Sequence, residues 1–157
     1  MNSPAPLHEL RFRLADAADR PAVESLLSSE SLPIVGVANA LSRFWLVDRD
    51  GKLLGMAGLE AYGTAALLRS VLVIPEWRGL GLAGQLVGRV LDDARAVGVQ
   101  EVYLLTTTAE GYFRALGFVP VARNLVAAEV QSSVEFREAC PASAACLVLQ
   151  LTSGRSE

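Results

Sequence analysis

The chain has 157 residues, 52% of them hydrophobic and 20% charged, with a net charge of -3 at pH 7. That length suits one domain with a substantial buried core, and a single domain over 1–157 is expected, ordered from about residue 8 to 152. The basic residues are scattered rather than grouped, which argues against nucleic acid or anionic lipid as the partner.

Leu10–Leu14 alternates like a short strand, and Asp16–Ser29 follows with Ala22, Val23, Leu26 and Leu27 at helical spacing behind an Asp cap. Ser31–Ser42 carries Pro33, Gly36 and Asn39 among apolar residues and reads as an irregular or weakly helical segment of the kind that borders a ligand site. Two apolar runs, Phe44–Val47 and Lys52–Glu60, flank Asp48-Arg-Asp-Gly51, a strong hairpin signal. A second hairpin turn falls at Tyr62-Gly-Thr64, and Ala66–Ile74 is the long, central strand. Leu82–Val97 is an amphipathic helix ending at Gly98, with Leu86, Val87, Val90 and Leu91 on one face. Val102–Thr107 is the next strand. Glu110–Leu116 is a short helix stopped by Gly117, and strands are expected at Phe118–Ala122 and Ala145–Leu151. Leu125–Ala139 is ambiguous, with a short helix near Val130.

No apolar stretch reaches the roughly 18–20 residues that a membrane span requires, so a soluble protein is expected. Met1–Leu10 lacks a basic region followed by an apolar core, so no secretory signal is expected and the cytoplasm is the default compartment. Cys140 and Cys146 form neither a disulfide framework nor a CxxC zinc pattern, and no metal is expected. His8 lies alone near the terminus.

The most informative stretch is Val71–Gly84, where a β-branched strand runs through Pro75 into a glycine-rich turn and directly into a helix. Gly79, Gly81 and Gly84 allow close backbone approach, Arg78 adds positive charge, and the free N–H groups of a first helical turn suit a phosphate or pyrophosphate. No GK[ST] ending occurs, which separates this cradle from a nucleotide P-loop.

The succession β-α-β-β-β-α-β-α-β-β, with Arg78-Gly-Leu-Gly-Leu-Ala83 opening the long helix and Tyr112-Phe-Arg-Ala-Leu-Gly-Phe118 later, resembles the GCN5-related N-acetyltransferases. The resemblance implies an α/β fold with a mixed, mostly antiparallel sheet splayed between its fourth and fifth strands. It implies acetyl-CoA as co-substrate, a small-molecule amine as acceptor, and no metal. Within that superfamily, Gly58-Leu-Glu60, Leu67-Leu-Arg-Ser70, Thr106-Thr-Thr-Ala109, Glu135-Phe136 and Cys140-Pro-Ala-Ser-Ala144 resemble acetyltransferases encoded with bacterial arsenic-resistance genes. Some of those acetylate the α-amino group of arsinothricin, so the acceptor implied is a glutamate-like amino acid with an arsinate or phosphinate end.

By the same resemblance, main-chain groups of Val71, Leu72 and Val73 meet the pantetheine and supply an oxyanion-hole N–H. The turn of Arg78, Gly79, Leu80, Gly81, Leu82, Ala83 and Gly84 holds the pyrophosphate. Many relatives carry a base glutamate on the fourth strand. Leu67 and Leu68 stand there, so the role is either absent or taken by Glu60. The usual position of the acid tyrosine is Phe113; Tyr112 is the candidate acid, rotated about 100° around the helix. Arg69, inside an apolar strand, needs a partner. A substrate carboxylate is one, with Arg43 adding a contact and Ser70 beside it; an internal salt bridge with Glu60 or Glu76 is the other. Two rivals stay open: a transferase for a protein N-terminus, lysine or polyamine, and a non-catalytic acyl-CoA-binding module. Relatives with exposed terminal strands often pair, so a homodimer is an expectation.

Overall fold

The computed structural model describes residues 9–133, 136 and 144–151. His8, Cys140 and most of the 134–143 segment quoted for the narrower resemblance lie outside them. Strands β1 (Arg11–Leu14), β2 (Trp45–Arg49), β3 (Lys52–Tyr62), β4 (Ala65–Val73), β5 (Glu101–Thr106), β6 (Val119–Pro120) and β7 (Ala145–Gln150) form one sheet. Its order is β1-β2-β3-β4-β5-β7-β6. Every neighbouring pair is antiparallel except β4 and β5. Helices α1 (Arg20–Ser29), α2 (Val37–Ala40), α3 (Leu82–Ala96), α4 (Glu110–Ala115) and α5 (Ala128–Gln131) complete the mixed α/β architecture. Among the described residues no helix is long and apolar enough to cross a membrane.

Local chemistry accounts for most element ends. Asp50 and Gly51 both take left-handed backbone, φ 52° and 79°, as the hairpin turn between β2 and β3 requires. Asp16 accepts the Ala18 N–H and Asp19 accepts the Asp16 N–H, a capping box that starts a short 3-10 turn ahead of α1. The strand expected at Phe118–Ala122 shrinks to Val119–Pro120, although the Val121 N–H still bonds to Cys146 O of β7 at 3.0 Å.

One face of the sheet packs Leu54, Leu59, Leu68, Leu104 and Leu147 against Leu82, Leu86, Val87 and Val90 of α3. The other face carries two separate apolar clusters. Phe44, Leu46 and Met56 pack beneath α1 and α2, while Leu67, Tyr103 and Val148 pack beneath Val126 and Val130. Gly58 in β3 is set by space: a β-carbon there would lie 2.3 Å from the Phe44 ring.

A charged network ties β1 to the start of α1. Arg13 spans Asp48 (2.8 Å) and both oxygens of Asp19 (2.7 and 2.8 Å). The Arg13 hydrogen bonds, aided by the Asp16 N–H, hold the Asp19 carboxyl down at about 2 against partial burial. A carboxylate depressed on folding stabilises the protein above its unfolded pKa, here 3.8, and that contribution disappears as pH falls toward 2. Asp19→Asn should therefore lower the thermal midpoint at neutral pH and converge with the wild type near pH 2. A constant difference across pH 2–6 would remove Asp19 from the acid response.

Candidate active site

The site begins where two strands part. β4 and β5 pair only at Ala65↔Glu101, Ala66↔Val102 and Leu67↔Tyr103, while β5 pairs β7 along its whole length. Beyond Leu67 the β5-facing edge of β4 has no ladder partner among the described residues. Just past that point the β3–β4 register shifts between Met56 and Gly58, and Ser70 adopts left-handed backbone with φ 59°. One extra residue on β4 produces such a bulge and bends the strand away.

Alternation then decides which amides face the gap. Ile74 N–H bonds to Leu54 O at 2.8 Å, so Leu72 points its peptide groups at β3 while those of Val71 and Val73 turn outward. Leu72 is thereby corrected: of the three strand residues expected to offer main-chain groups, only Val71 and Val73 do. The Val73 carbonyl is already taken by Arg78 Nε at 2.7 Å, which leaves the two N–H groups and the Val71 carbonyl as what this edge offers.

A cleft of about 210 Å³ occupies the gap. Ser31, Ser70 and Thr106–Thr108 give it a hydroxyl-rich lining, Leu68, Val71 and Leu104 form its apolar wall, and Phe113 closes one side. None of the described lining residues is a carboxylate or a histidine. Thr106 Oγ1 accepts the Ala109 N–H at 3.0 Å and shapes the turn into α4.

Arg69 is not a clamp waiting for a ligand carboxylate. Its side chain is fully buried and pairs with Glu60 Oε2 at 2.7 Å. It also donates to the carbonyls of Val35 and Pro33 and to Ser70 Oγ, so it binds the α1–α2 loop to β4. Gly36 lies directly over the pair, where a β-carbon would come 3.1 Å from Arg69 Nη1 and 3.2 Å from Glu60 Oε2. Glu60 is revised with it. Its second oxygen accepts the Tyr62 hydroxyl at 2.6 Å, so both carboxylate oxygens are engaged within the protein instead of waiting for a substrate proton. Burial, followed by the bond to Glu60, pushes the Tyr62 hydroxyl well above its ordinary value. Arg43 shares a separate crevice with Asn39, Ser42 and Glu60 and does not line the Ser70 cleft.

The glycine turn forms a second hollow with Trp77 on its wall. Gly79 and Gly81 both have φ 82°, and nothing lies within 4 Å of where their β-carbons would be. Backbone conformation is thus the demand on these glycines, and the space above them is open. The first bond of α3 runs from Gln85 N–H to Gly81 O, so the N–H groups of Leu82, Ala83 and Gly84 are the free donors of the helix start. Leu82 buries its side chain in the core beneath, while Leu80 stands 47% exposed and does not line the hollow. Aligned peptide dipoles and free amides at this end attract an anion.

A family model described as acetyltransferase (GNAT) family matches residues 12–118. The chain belongs to that family. An amino-acid acetyltransferase of Mycobacterium tuberculosis is 30% identical over 128 residues, 75% of this chain and 73% of its own length. One from Aeromonas salmonicida is 31% identical over 83 residues, 52% of this chain. The chain spans only 19% of that relative's length, and the same holds for several other curated relatives it matches. Among solved structures, N-acetylglutamate synthase from Neisseria gonorrhoeae, complexed with coenzyme A and L-arginine, superposes with a TM-score of 0.76 over 90% of this chain and 33% of its own, at 22% identity. A Mycobacterium tuberculosis protein in complex with CoA gives 0.75 at 25% identity, covering 90% of this chain and 99% of its own.

In this acetyltransferase family member the remaining candidates change place. Tyr112 lines the glycine hollow, its hydroxyl 3.8 Å from where a Gly84 β-carbon would sit, whereas Phe113 faces the cleft. Tyr112, expected as the acid, thus stands beside the glycine turn and not in the Ser70 cleft; partial burial raises its pKa. Arg78 lines the glycine hollow as well, and its guanidinium joins Val73 O (2.7 Å) to Glu30 (3.0 Å) at the end of α1. Reading the sequence missed Trp77 and Thr106–Thr108 as lining residues; the run of threonines at a strand end was the available signal. Cys146 is buried, which raises its thiol pKa. Among the described residues no cluster fit for a metal ion occurs.

Proposed function

We propose that the protein transfers the acetyl group of acetyl-CoA to the α-amino group of a small, glutamate-like amino acid, by direct attack within a ternary complex. The observation that carries this reading is the adjacency of two features along one strand. Val71 borders a hydroxyl-lined cleft, Val73 borders the glycine-built hollow, and the same chain continues into that open anion cradle. The Leu82–Gly84 amides would hold the diphosphate of the thioester substrate, with Trp77 and Tyr112 beside it.

The amine nitrogen forms a bond to the thioester carbon, the C–S bond breaks, and the amine proton departs as the thiol is released. Negative charge grows on the carbonyl oxygen during attack, and a fixed N–H from Val71 or Val73 aimed there contributes about 3 kcal/mol. The hydroxyl lining lets water carry the proton out, so neither Glu60 nor Tyr112 is needed for it.

The glutamate-like acceptor is supported by amino-acid acetyltransferases among the relatives and by a synthase solved with coenzyme A and N-acetyl-glutamate. Arsinothricin and phosphinothricin share that shape with an arsinate or phosphinate end, which the short sequence strings favour. A thiol-release assay with acetyl-CoA should place glutamate, arsinothricin and phosphinothricin far ahead of spermidine and a lysine peptide. Preference for spermidine or the peptide would sink the acceptor assignment, and binding of acetyl-CoA without turnover of any amine would leave a non-catalytic module.

A further inference from the structure

Among the described residues, three non-glycine positions have left-handed backbone: Ser31, Asp50 and Ser70. Asp50 belongs to the β2–β3 hairpin. The two serines, at φ 60° and 59°, both line the cleft where β4 leaves β5. Such strain persists where the surrounding structure imposes it, and it gathers at sites that use the resulting geometry. Ser70 has a second distinguishing feature. Its oxygen accepts the Arg69 Nε–H at 3.0 Å, while no acceptor among the described residues takes its own hydrogen. Half-buried in the cleft wall, it has one O–H left to give.

We infer that Ser70 is a substrate-contacting hydrogen-bond donor that selects an acceptor carrying an anionic oxygen, and that Arg69 positions it. Donation from a guanidinium to the hydroxyl oxygen polarises the O–H bond and strengthens it as a donor. Donors of this kind gain most from a charged acceptor such as a carboxylate. Arg69, neutralised by Glu60 and fully buried, acts on the substrate only through Ser70. The β4 bulge turns this serine toward the cleft and sets it directly before the Val71 amide, so acceptor and thioester would be held by consecutive residues. This assignment rests on the amino-acid reading above and adds the group that reads the acceptor.

The experiment measures kcat/KM for glutamate and for its two carboxamides, glutamine and isoglutamine, with wild type, Ser70→Ala and Ser70→Gly. The wild type should prefer glutamate to one of the two amides by at least tenfold, and both variants should erase that preference while leaving the KM for acetyl-CoA unchanged. Glycine tolerates φ near 59°, so Ser70→Gly should have a higher Tm than Ser70→Ala while losing discrimination to the same extent, a combination that structural damage does not produce. A wild type that acetylates glutamate while Ser70→Ala still discriminates overturns the Ser70 assignment alone. Parallel shifts in both KM values overturn it too. A wild type that uses only uncharged amines overturns the assignment together with the acceptor reading beneath it.

Discussion

Replacing Arg69 by methionine should remove about 3–5 kcal/mol of folding stability, the range for breaking one side of a buried ion pair. The loss has two sources. Glu60, only 9% exposed, would keep a charge with Tyr62 as its remaining partner, and the Pro33 and Val35 carbonyls would lose their donor. Glu60→Leu alone is the mirror case, taking that carboxylate from a guanidinium whose side chain is 0% exposed. Combining the two changes removes both charges at once, so the double variant should lose less than the two single losses added together. Urea unfolding of the four proteins gives the coupling energy directly. Additive losses would mean that the pair is not a coupled unit and that Arg69 acts through the loop carbonyls alone.

Arg69 also marks the limit of what could be read from the chain. A guanidinium in an apolar strand announces that it needs a partner, and Glu60 was one of two internal candidates. Its actual partners include carbonyls 34 and 36 residues away, brought over by a loop whose path no periodicity encodes. The Ser70 bulge is hidden for a similar reason, since it is a mismatch of count between two strands and neither strand shows it alone. Tyr112 and Phe113 differ by one step around α4, and that step decides which hollow each one lines. By contrast, the Asp50-Gly51 hairpin, the α3 boundaries and the glycine turn were legible, because each follows from what a few adjacent residues permit.

The division between the two hollows has a mechanistic consequence. Their described lining residues do not overlap, and they meet through the Val71–Val73 edge of β4. Changes at the Ser70 cleft should therefore appear in the acceptor terms of the rate law and changes at the glycine turn in the acetyl-CoA terms. Arg78 is the covalent neighbour of that turn, yet its bonds reach Glu30, the residue before Ser31. It ties the end of the cradle strand to the end of α1, as Arg69 ties β4 to the loop that follows.

The glycine turn carries the larger functional effect. Gly81, the residue that caps α3, has φ 82°, where a β-carbon costs about 1–2 kcal/mol even though the space is open. Gly81→Ala can relieve that cost only by rotating the backbone, which turns the Leu82–Gly84 amides off the anion they would share. Each 1.4 kcal/mol is a factor of ten, so acetyl-CoA affinity measured by calorimetry should fall by about tenfold or more. Gly88 supplies the internal contrast: it lies exposed within the same helix, with nothing within 4 Å of a new β-carbon. Gly88→Ala should therefore stabilise the fold by about 0.5–1 kcal/mol and leave the affinity alone. The same added methyl group on one helix would then weaken binding at the cap and raise stability in the middle. Equal acetyl-CoA affinity in the two variants would mean that the helix start does not hold the diphosphate.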